Sequence, residues 1–168
     1  VNVTTGPGGV NALNGVYGAY VDSIGMVVVS GQVKRETYAP NFPIPLRQLG
    51  DQEVDIVSMV RGITKYAVVL DDPLQARKVV EKALYLSSRG RPGPVWIDVP
   101  IDVQAAPVDF DALERFDPTE LDASGEAPNT MAELAALSGD ALAAADFDGD
   151  GLANTNDART LLQSLVSA

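Results

Sequence analysis

The residues best suited to chemistry near the start of the chain form a glycine-rich turn, Thr-Gly-Pro-Gly-Gly at residues 5–9. An apolar strand at residues 1–4 precedes the turn, and a helical pattern at residues 10–21 follows it. Such a turn leaves backbone N–H groups free at the helix N-terminus, where pockets for ligands are often built. The alternative is an ordinary strand–helix turn, so the interpretation depends on the rest of the chain.

A second set of polar residues lies near the C-terminal end. Counting Asp146 as position 1, oxygen-bearing side chains stand at positions 1, 3, 5, 9 and 12, and glycine stands at position 6. This spacing predicts a Ca²⁺ loop, and the alternative is an acidic surface loop without metal. The predicted ligands are Asp146, Asp148, Asp150, Asn154, Asp157 and the backbone carbonyl of Leu152.

The composition excludes several kinds of site. The 168 residues contain no cysteine and no histidine, so a thiolate or His-ligated metal and a Ser-His or Cys-His nucleophile are excluded within this sequence. No apolar run reaches the roughly 18–20 residues that span a membrane. The sequence starts without methionine or a signal-peptide pattern, so we expect a domain entered midway.

The charge divides the chain into unlike segments. Residues 1–104 contain ten basic and ten acidic residues, whereas residues 105–168 contain two basic and thirteen acidic residues. The whole net charge of −11 therefore falls in the second segment, which argues against nucleic-acid binding.

The pattern of elements predicts an α/β fold. Apolar, mostly β-branched runs at residues 26–29, 66–70 and 95–99 suit strands buried on both faces of a parallel sheet. Helical patterns at 51–61 and 72–89 alternate with them. We expect a three-layer parallel sheet with flanking helices over residues 1–104, an acidic linker over 105–130, and a small helical calcium-loop tail over 131–168.

Six ordered blocks resemble one family. The first segment is similar to the pyrimidine-binding domain of thiamine-diphosphate enzymes of the acetolactate synthase-like kind. The blocks are residues 5–11, 20–24, 30–33, 46–53, 63–66 and 90–100.

The resemblance implies roles for particular residues. Gly6, Pro7, Gly8 and Asn11 would lie against the aminopyrimidine ring. Gln32 would be a catalytic residue that points toward the substrate. Gln48 would lie in a loop that approaches the site from the side of the dimer partner.

The resemblance also implies the chemistry of a whole enzyme. Such an enzyme would be a cytoplasmic homo-oligomer that uses thiamine diphosphate and Mg²⁺ to carboligate or decarboxylate a 2-keto acid such as pyruvate. The glutamate that activates the cofactor would lie upstream of Val1, and the diphosphate–Mg²⁺ domain would follow much later. Residues 149–151, Gly-Asp-Gly, match only the start of the diphosphate motif. We therefore expect this chain alone to be inactive.

The tail resembles a different family. Its acidic loop and the following leucine-rich helix are similar to one repeat of a dockerin, a secreted module that binds a cohesin. This resemblance implies a calcium-dependent interaction module with a cohesin-like partner as the alternative function. A third interpretation is a mis-joined gene product, because the enzyme family is intracellular and dockerins are secreted.

Overall fold

A parallel sheet forms the centre of the described part of the chain. The computed structural model describes residues 1–124. Four strands pair in the order β1-β2-β4-β3, and all of these pairings are parallel. The strands are β1 (Asn2–Val3), β2 (Met26–Gln32), β3 (Tyr66–Val69) and β4 (Pro94–Pro100). The α/β class and the parallel sheet predicted from the apolar runs are confirmed.

Helices connect the strands and cover both faces of the sheet. Short 3₁₀ turns lie at Arg35–Thr37, Ala39–Asn41, Arg61–Ile63, Pro73–Gln75 and Phe110–Ala112. The α-helices are α1 (Pro7–Val21), α2 (Ile56–Val60), α3 (Ala76–Ser88), α4 (Ile101–Gln104) and α5 (Thr119–Ser124). Within residues 1–124, none of these helices has the length and apolar character needed to cross a membrane.

Side-chain caps explain where two helices begin. Asp55 accepts hydrogen bonds from the backbone N–H and the hydroxyl of Ser58, at 3.1 and 2.5 Å, so α2 starts later than the predicted residue 51. Asp72 accepts from the N–H of Leu74 at 2.9 Å and starts the turn that leads into α3. Gly90, with φ of 61°, follows the end of α3, as its position in the sequence predicted.

Two apolar clusters lie on opposite faces of β4. Val95 and Ile97 pack with Leu86 of α3 on one face. Trp96 and Val28 pack with the residues of α1 and α2 on the other face. Because side chains of one strand alternate between faces, β4 supplies both clusters and produces the three-layer arrangement.

Part of the predicted acidic linker packs against the sheet domain. Leu121 is buried in the cluster beside α3, and the Phe116 ring centroid lies 5.6 Å from that of Tyr85. Lys78 of α3 pairs with Glu114 at 2.7 Å and with Glu120 at 3.0 Å. Acidic residues of this segment thus contact a basic helix surface, and their apolar neighbours reach the core.

Candidate functional site

The glycine-rich turn joins the end of β1 to the first residue of α1. Gly6 has φ of 55°, and a Cβ at this position would overlap the carbonyl oxygen of Gln52. Gln52 itself has φ of 57°, which directs the loop onto the turn. Pro7 follows as the first helical residue, where its missing N–H costs nothing. Only glycine fits position 6, because both the backbone conformation and the close approach exclude a side chain.

A groove of about 440 Å³, which we call the turn groove, lies beside this junction. It brings together Gly6, Pro7 and Asn11 of the predicted cofactor-binding residues. Gly8 is not among the residues that line the groove, and a Cβ at this position would meet the methyl group of Thr4. The lining residues are Gly6, Pro7, Val10, Asn11, Gln48, Gln52, Glu53 and Val54.

The carboxylate of Glu53 holds one side of the turn groove in place. Glu53 accepts hydrogen bonds from the backbone N–H groups of Ala39 at 2.6 Å, Leu49 at 3.0 Å and Gly50 at 2.8 Å. These bonds fold residues 48–53 against the start of α1, and they place Gln48 in the groove of its own chain. Glu53 therefore organises the loop through backbone groups, which residue type alone did not reveal.

A second cavity, the strand-end cavity, lies at the carboxyl ends of β1, β2 and β4. Its volume is about 620 Å³. Gln32, the predicted catalytic residue, lines this cavity and is only 3% exposed. The other lining residues are Asn2, Val3, Thr4, Thr5, Val29, Ser30, Gly31, Val33, Val99, Ile101 and Gln104. Gln32 therefore lines the strand-end cavity, whereas Gly6, Pro7 and Asn11 line the turn groove.

The amide of Gln32 is fully hydrogen-bonded. Its Nε2 donates to Asp98 Oδ2 at 2.7 Å and to the carbonyl oxygen of Val54 at 2.8 Å. Its Oε1 accepts from the N–H of Val33 at 3.0 Å and from the hydroxyl of Thr5 at 3.3 Å. Gln32 therefore connects the turn, the loop before α2, and the centre of the sheet.

Asp98 is the buried end of the same network. It has no exposed surface, and its Oδ1 accepts from the Ser30 hydroxyl at 2.5 Å. The indole N–H of Trp96 donates to that hydroxyl at 2.7 Å. Burial raises the pKa of Asp98 to about 6, the hydrogen bonds from Ser30 and Gln32 oppose the rise, and the Asp55 carboxylate adds to it.

Burial and nearby carboxylates also raise the pKa of a tyrosine, Tyr38. Burial raises the pKa of Tyr38 above its ordinary value, and the negative charges of Asp55, Asp98 and Glu53 raise it further. The phenol therefore stays neutral at physiological pH. Within residues 1–124, no group of three or more acidic, histidine or cysteine side chains is placed to hold a metal ion.

Only a weak signal for the Asp98 network is present in the sequence. Asp98 is the one charged residue in an apolar run, which indicates a partner but not which one. Ser30 and Gln32 stand two residues apart in β2 and so share a face, but their register against β4 requires the fold. The predicted Ca²⁺ ligands, residues 146–157, lie outside the described residues.

The first part of the chain is similar in sequence to known proteins. Residues 1–59 match the family described as thiamine pyrophosphate enzyme, N-terminal TPP binding domain. The acetolactate synthase large subunit of Lactococcus lactis is 39% identical over 108 residues, which cover 64% of this chain and 17% of that protein. The chloroplastic acetolactate synthase of Arabidopsis thaliana is 38% identical over 104 residues, which cover 60% of this chain and 14% of that protein.

The comparisons support an acetolactate synthase-like thiamine pyrophosphate domain in the first part of the chain. The matched region of the Arthrospira platensis acetolactate synthase, 34% identical over 111 residues, likewise covers only 18% of that protein. The chain therefore spans less than a fifth of the length of these curated relatives. The resemblance based on the ordered sequence blocks is confirmed at this level.

Replacing Gly6 should destabilise the domain. In Gly6→Ala, the added Cβ meets the Gln52 carbonyl and the backbone must keep a positive φ, so we expect a loss of at least about 2 kcal/mol in unfolding free energy. Gly15→Ala is the matched control, because a Cβ there meets nothing within 4 Å. It should be neutral or stabilising by about 0.5–1 kcal/mol. Urea unfolding measures both, and equal effects would contradict the role of Gly6.

The pKa of Asp98 predicts a pH-dependent stability. Its folded value of about 6 lies above the ordinary 3.8, so between these values the folded state binds more protons than the unfolded state. The free energy of unfolding should therefore fall as pH rises from about 4 to about 6, by on the order of 2–3 kcal/mol from this group, and then level off.

Asp98→Asn tests this pH dependence, because the variant keeps the side-chain shape and lacks the titration. The difference in unfolding free energy between wild type and variant, measured in urea at several pH values, should change across that window and stay constant above it. Parallel pH profiles for the two proteins would show that Asp98 does not titrate in this range.

Proposed function

We propose that residues 1–104 form one wall of a thiamine diphosphate site in an enzyme that carboligates or decarboxylates a 2-keto acid such as pyruvate. The observation that carries this proposal is the turn groove, which gathers Gly6, Pro7 and Asn11 beside α1 in a segment that matches the thiamine pyrophosphate family. The relatives named acetolactate synthase support the reaction class.

The residues of the turn groove fit the heterocyclic end of the cofactor. Pro7, Val10 and Val54 supply apolar surface for a flat ring, and the amides of Asn11 and Gln48 supply both donors and acceptors for ring nitrogen and amino groups. The absence of a Cβ at Gly6 lets Gln52 approach and close the groove. When bound, thiamine diphosphate would supply the electron sink for the reaction.

The turn groove has no groups suited to the diphosphate end of the cofactor. The described residues offer no cluster of carboxylates for Mg²⁺, and no lysine or arginine lines the turn groove. We infer that another domain or subunit holds the diphosphate and Mg²⁺ in the whole enzyme, which would be a homo-oligomer. By the same resemblance, Gln32 would be a catalytic residue near the substrate.

Thiamine should bind the 168-residue chain weakly and through the turn groove. We expect dissociation constants on the order of millimolar for both thiamine and thiamine diphosphate with Mg²⁺, because the contacts to the diphosphate are missing. Shifts of the backbone amide resonances of Gly6 and of residues 8–11 measure the binding. Asn11→Ala should weaken it, and Asn14→Ala, on the same helix but outside the groove, should not.

Two results would contradict this proposal. One is an absence of saturable shifts at the turn with either ligand. The other is a much tighter affinity for the diphosphate form, which would require a phosphate site in this chain. We also expect no consumption of pyruvate by the 168-residue chain with thiamine diphosphate and Mg²⁺, and measurable turnover would show that these residues suffice.

We propose as the alternative that residues 131–168 form a calcium-dependent interaction module with a cohesin-like partner. The spacing of oxygen side chains from Asp146 to Asp157, with Gly151 at the sixth position, favours it. Calorimetry should detect Ca²⁺ binding that disappears in Asp146→Ala and persists in Asp140→Ala, an acidic residue outside the loop. No heat at millimolar Ca²⁺ would exclude the loop as a calcium site.

A further inference from the structure

The side chain of Gln32 leaves the sheet on the face that α1 and α2 cover. Side chains alternate between faces along β2, so Gln32 shares its face with Val28, which packs with residues of both helices. Val54, which lines the turn groove and precedes α2, meets the Gln32 side chain on this face. Gln32 is therefore placed to act on the loop that borders the groove.

Backbone groups alone fix the orientation of the Gln32 amide. The carbonyl of Val54 can only accept, and Gln32 Nε2 donates to it at 2.8 Å. The N–H of Val33 can only donate, and it meets Gln32 Oε1 at 3.0 Å. Exchanging the two ends of the amide would set acceptor against acceptor and donor against donor, at a residue that is only 3% exposed. The orientation therefore does not depend on the ionisation of Asp98.

Both N–H groups of the Gln32 amide are occupied. One donates to the carbonyl of Val54, and the other donates to Asp98 Oδ2 at 2.7 Å. Asp98 has no exposed surface and belongs to β4, an interior strand, so it anchors the amide to the sheet. A ligand that bound the amide nitrogen would have to displace one of these acceptors. The geometry suits a side chain that holds a backbone segment in place.

The segment that Gln32 holds is one side of the turn groove. The carbonyl oxygen of Val54 also accepts from the N–H of Ile56, the first residue of α2, at 2.9 Å. The carbonyl of Gln52 lies so close to Gly6 that a Cβ there would overlap it. Residues 52–54 are thus in contact with the glycine-rich turn at one end and linked to the sheet through Gln32 at the other.

We propose that Gln32 is a positioning residue of the turn groove, which holds Val54 and the loop before α2 against the glycine-rich turn by linking the Val54 carbonyl to Asp98. The inference rests on the proposed function for its ligand, thiamine, and on the hydrogen bonds for the loop. This role differs from the substrate contact that the resemblance implies, because a positioning residue acts before any substrate is present.

The first experiment measures the order of the loop in the 168-residue chain without ligand. Gln32→Met keeps the length of the side chain and removes its donors. The backbone N–H groups of Ala39 and Gly50 report on the loop, because both donate to the carboxylate of Glu53. We expect them to exchange with deuterium about tenfold faster than in the wild type, relative to the amide of Ile97 in β4.

Ser30→Ala is the matched control for this experiment. It removes a different donor to Asp98 and leaves the contact between Gln32 and Val54 in place. The same exchange ratio should therefore stay within about twofold of the wild-type value. Equal changes in Gln32→Met and Ser30→Ala would overturn the proposal.

The double variant Gln32→Glu/Asp98→Asn tests the same point without a change of shape. The new amide at position 98 can donate to the new carboxyl at position 32, so the link to the sheet persists. The new carboxyl can donate to the Val54 carbonyl only while it is protonated. After correction for the intrinsic rate, exchange at Ala39 and Gly50 should rise about tenfold as this carboxyl ionises, which its ¹³C resonance reports. Exchange that does not follow the ionisation would contradict the link through Val54.

The second experiment repeats the thiamine titration with no substrate present. Gln32→Met should weaken binding at Gly6 and residues 8–11 by at least about threefold, and Ser30→Ala should leave it unchanged. An unchanged affinity in Gln32→Met would overturn the positioning role, since a residue that contacts only substrate predicts that result. Absence of thiamine binding to the wild type, with the exchange results as expected, would contradict only the proposed function.

Discussion

The parallel pairing of β2 with β4 is the constraint on which the rest of the structure depends. Seven residue pairs run from Met26 opposite Pro94 to Gln32 opposite Pro100. This register places Ser30 directly across from Asp98, and it ends both strands at the same edge of the sheet. A shift of one residue would turn Asp98 away from its donors and into the opposite apolar face. The two clusters and the polar network therefore rely on one alignment.

The polar network is tolerated in the core because its groups are satisfied. Within residues 1–124, no buried side-chain nitrogen or oxygen lacks a hydrogen-bond partner. An isolated buried carboxylate would be strongly destabilising, and the donors from Ser30 and Gln32 reduce that cost without removing it, as the raised pKa of Asp98 shows. Here the carboxylate accepts from the amide of Gln32 and from the hydroxyl of Ser30, and so joins three side chains in the core.

The glycine-rich turn contributes residues to both cavities. Thr5 lines the strand-end cavity, and Gly6 and Pro7 line the turn groove. The turn groove is bordered by a loop that Glu53 holds in place, and the strand-end cavity is bordered by the sheet itself. The matched region covers less than a fifth of the length of each of these curated relatives.

The sequence by itself determined the alternation of strands and helices, the caps at Asp72 and Gly90, and the resemblance of the first segment to thiamine-diphosphate enzymes. Those features are local, since they depend on periodicity, turn chemistry and the order of short motifs. Only the tertiary structure decided that the amide of Gln32 donates to Asp98, and that Gly8 does not line the turn groove. Both depend on strand register and on the path of the loop through Gln52, which bring together residues far apart in the chain.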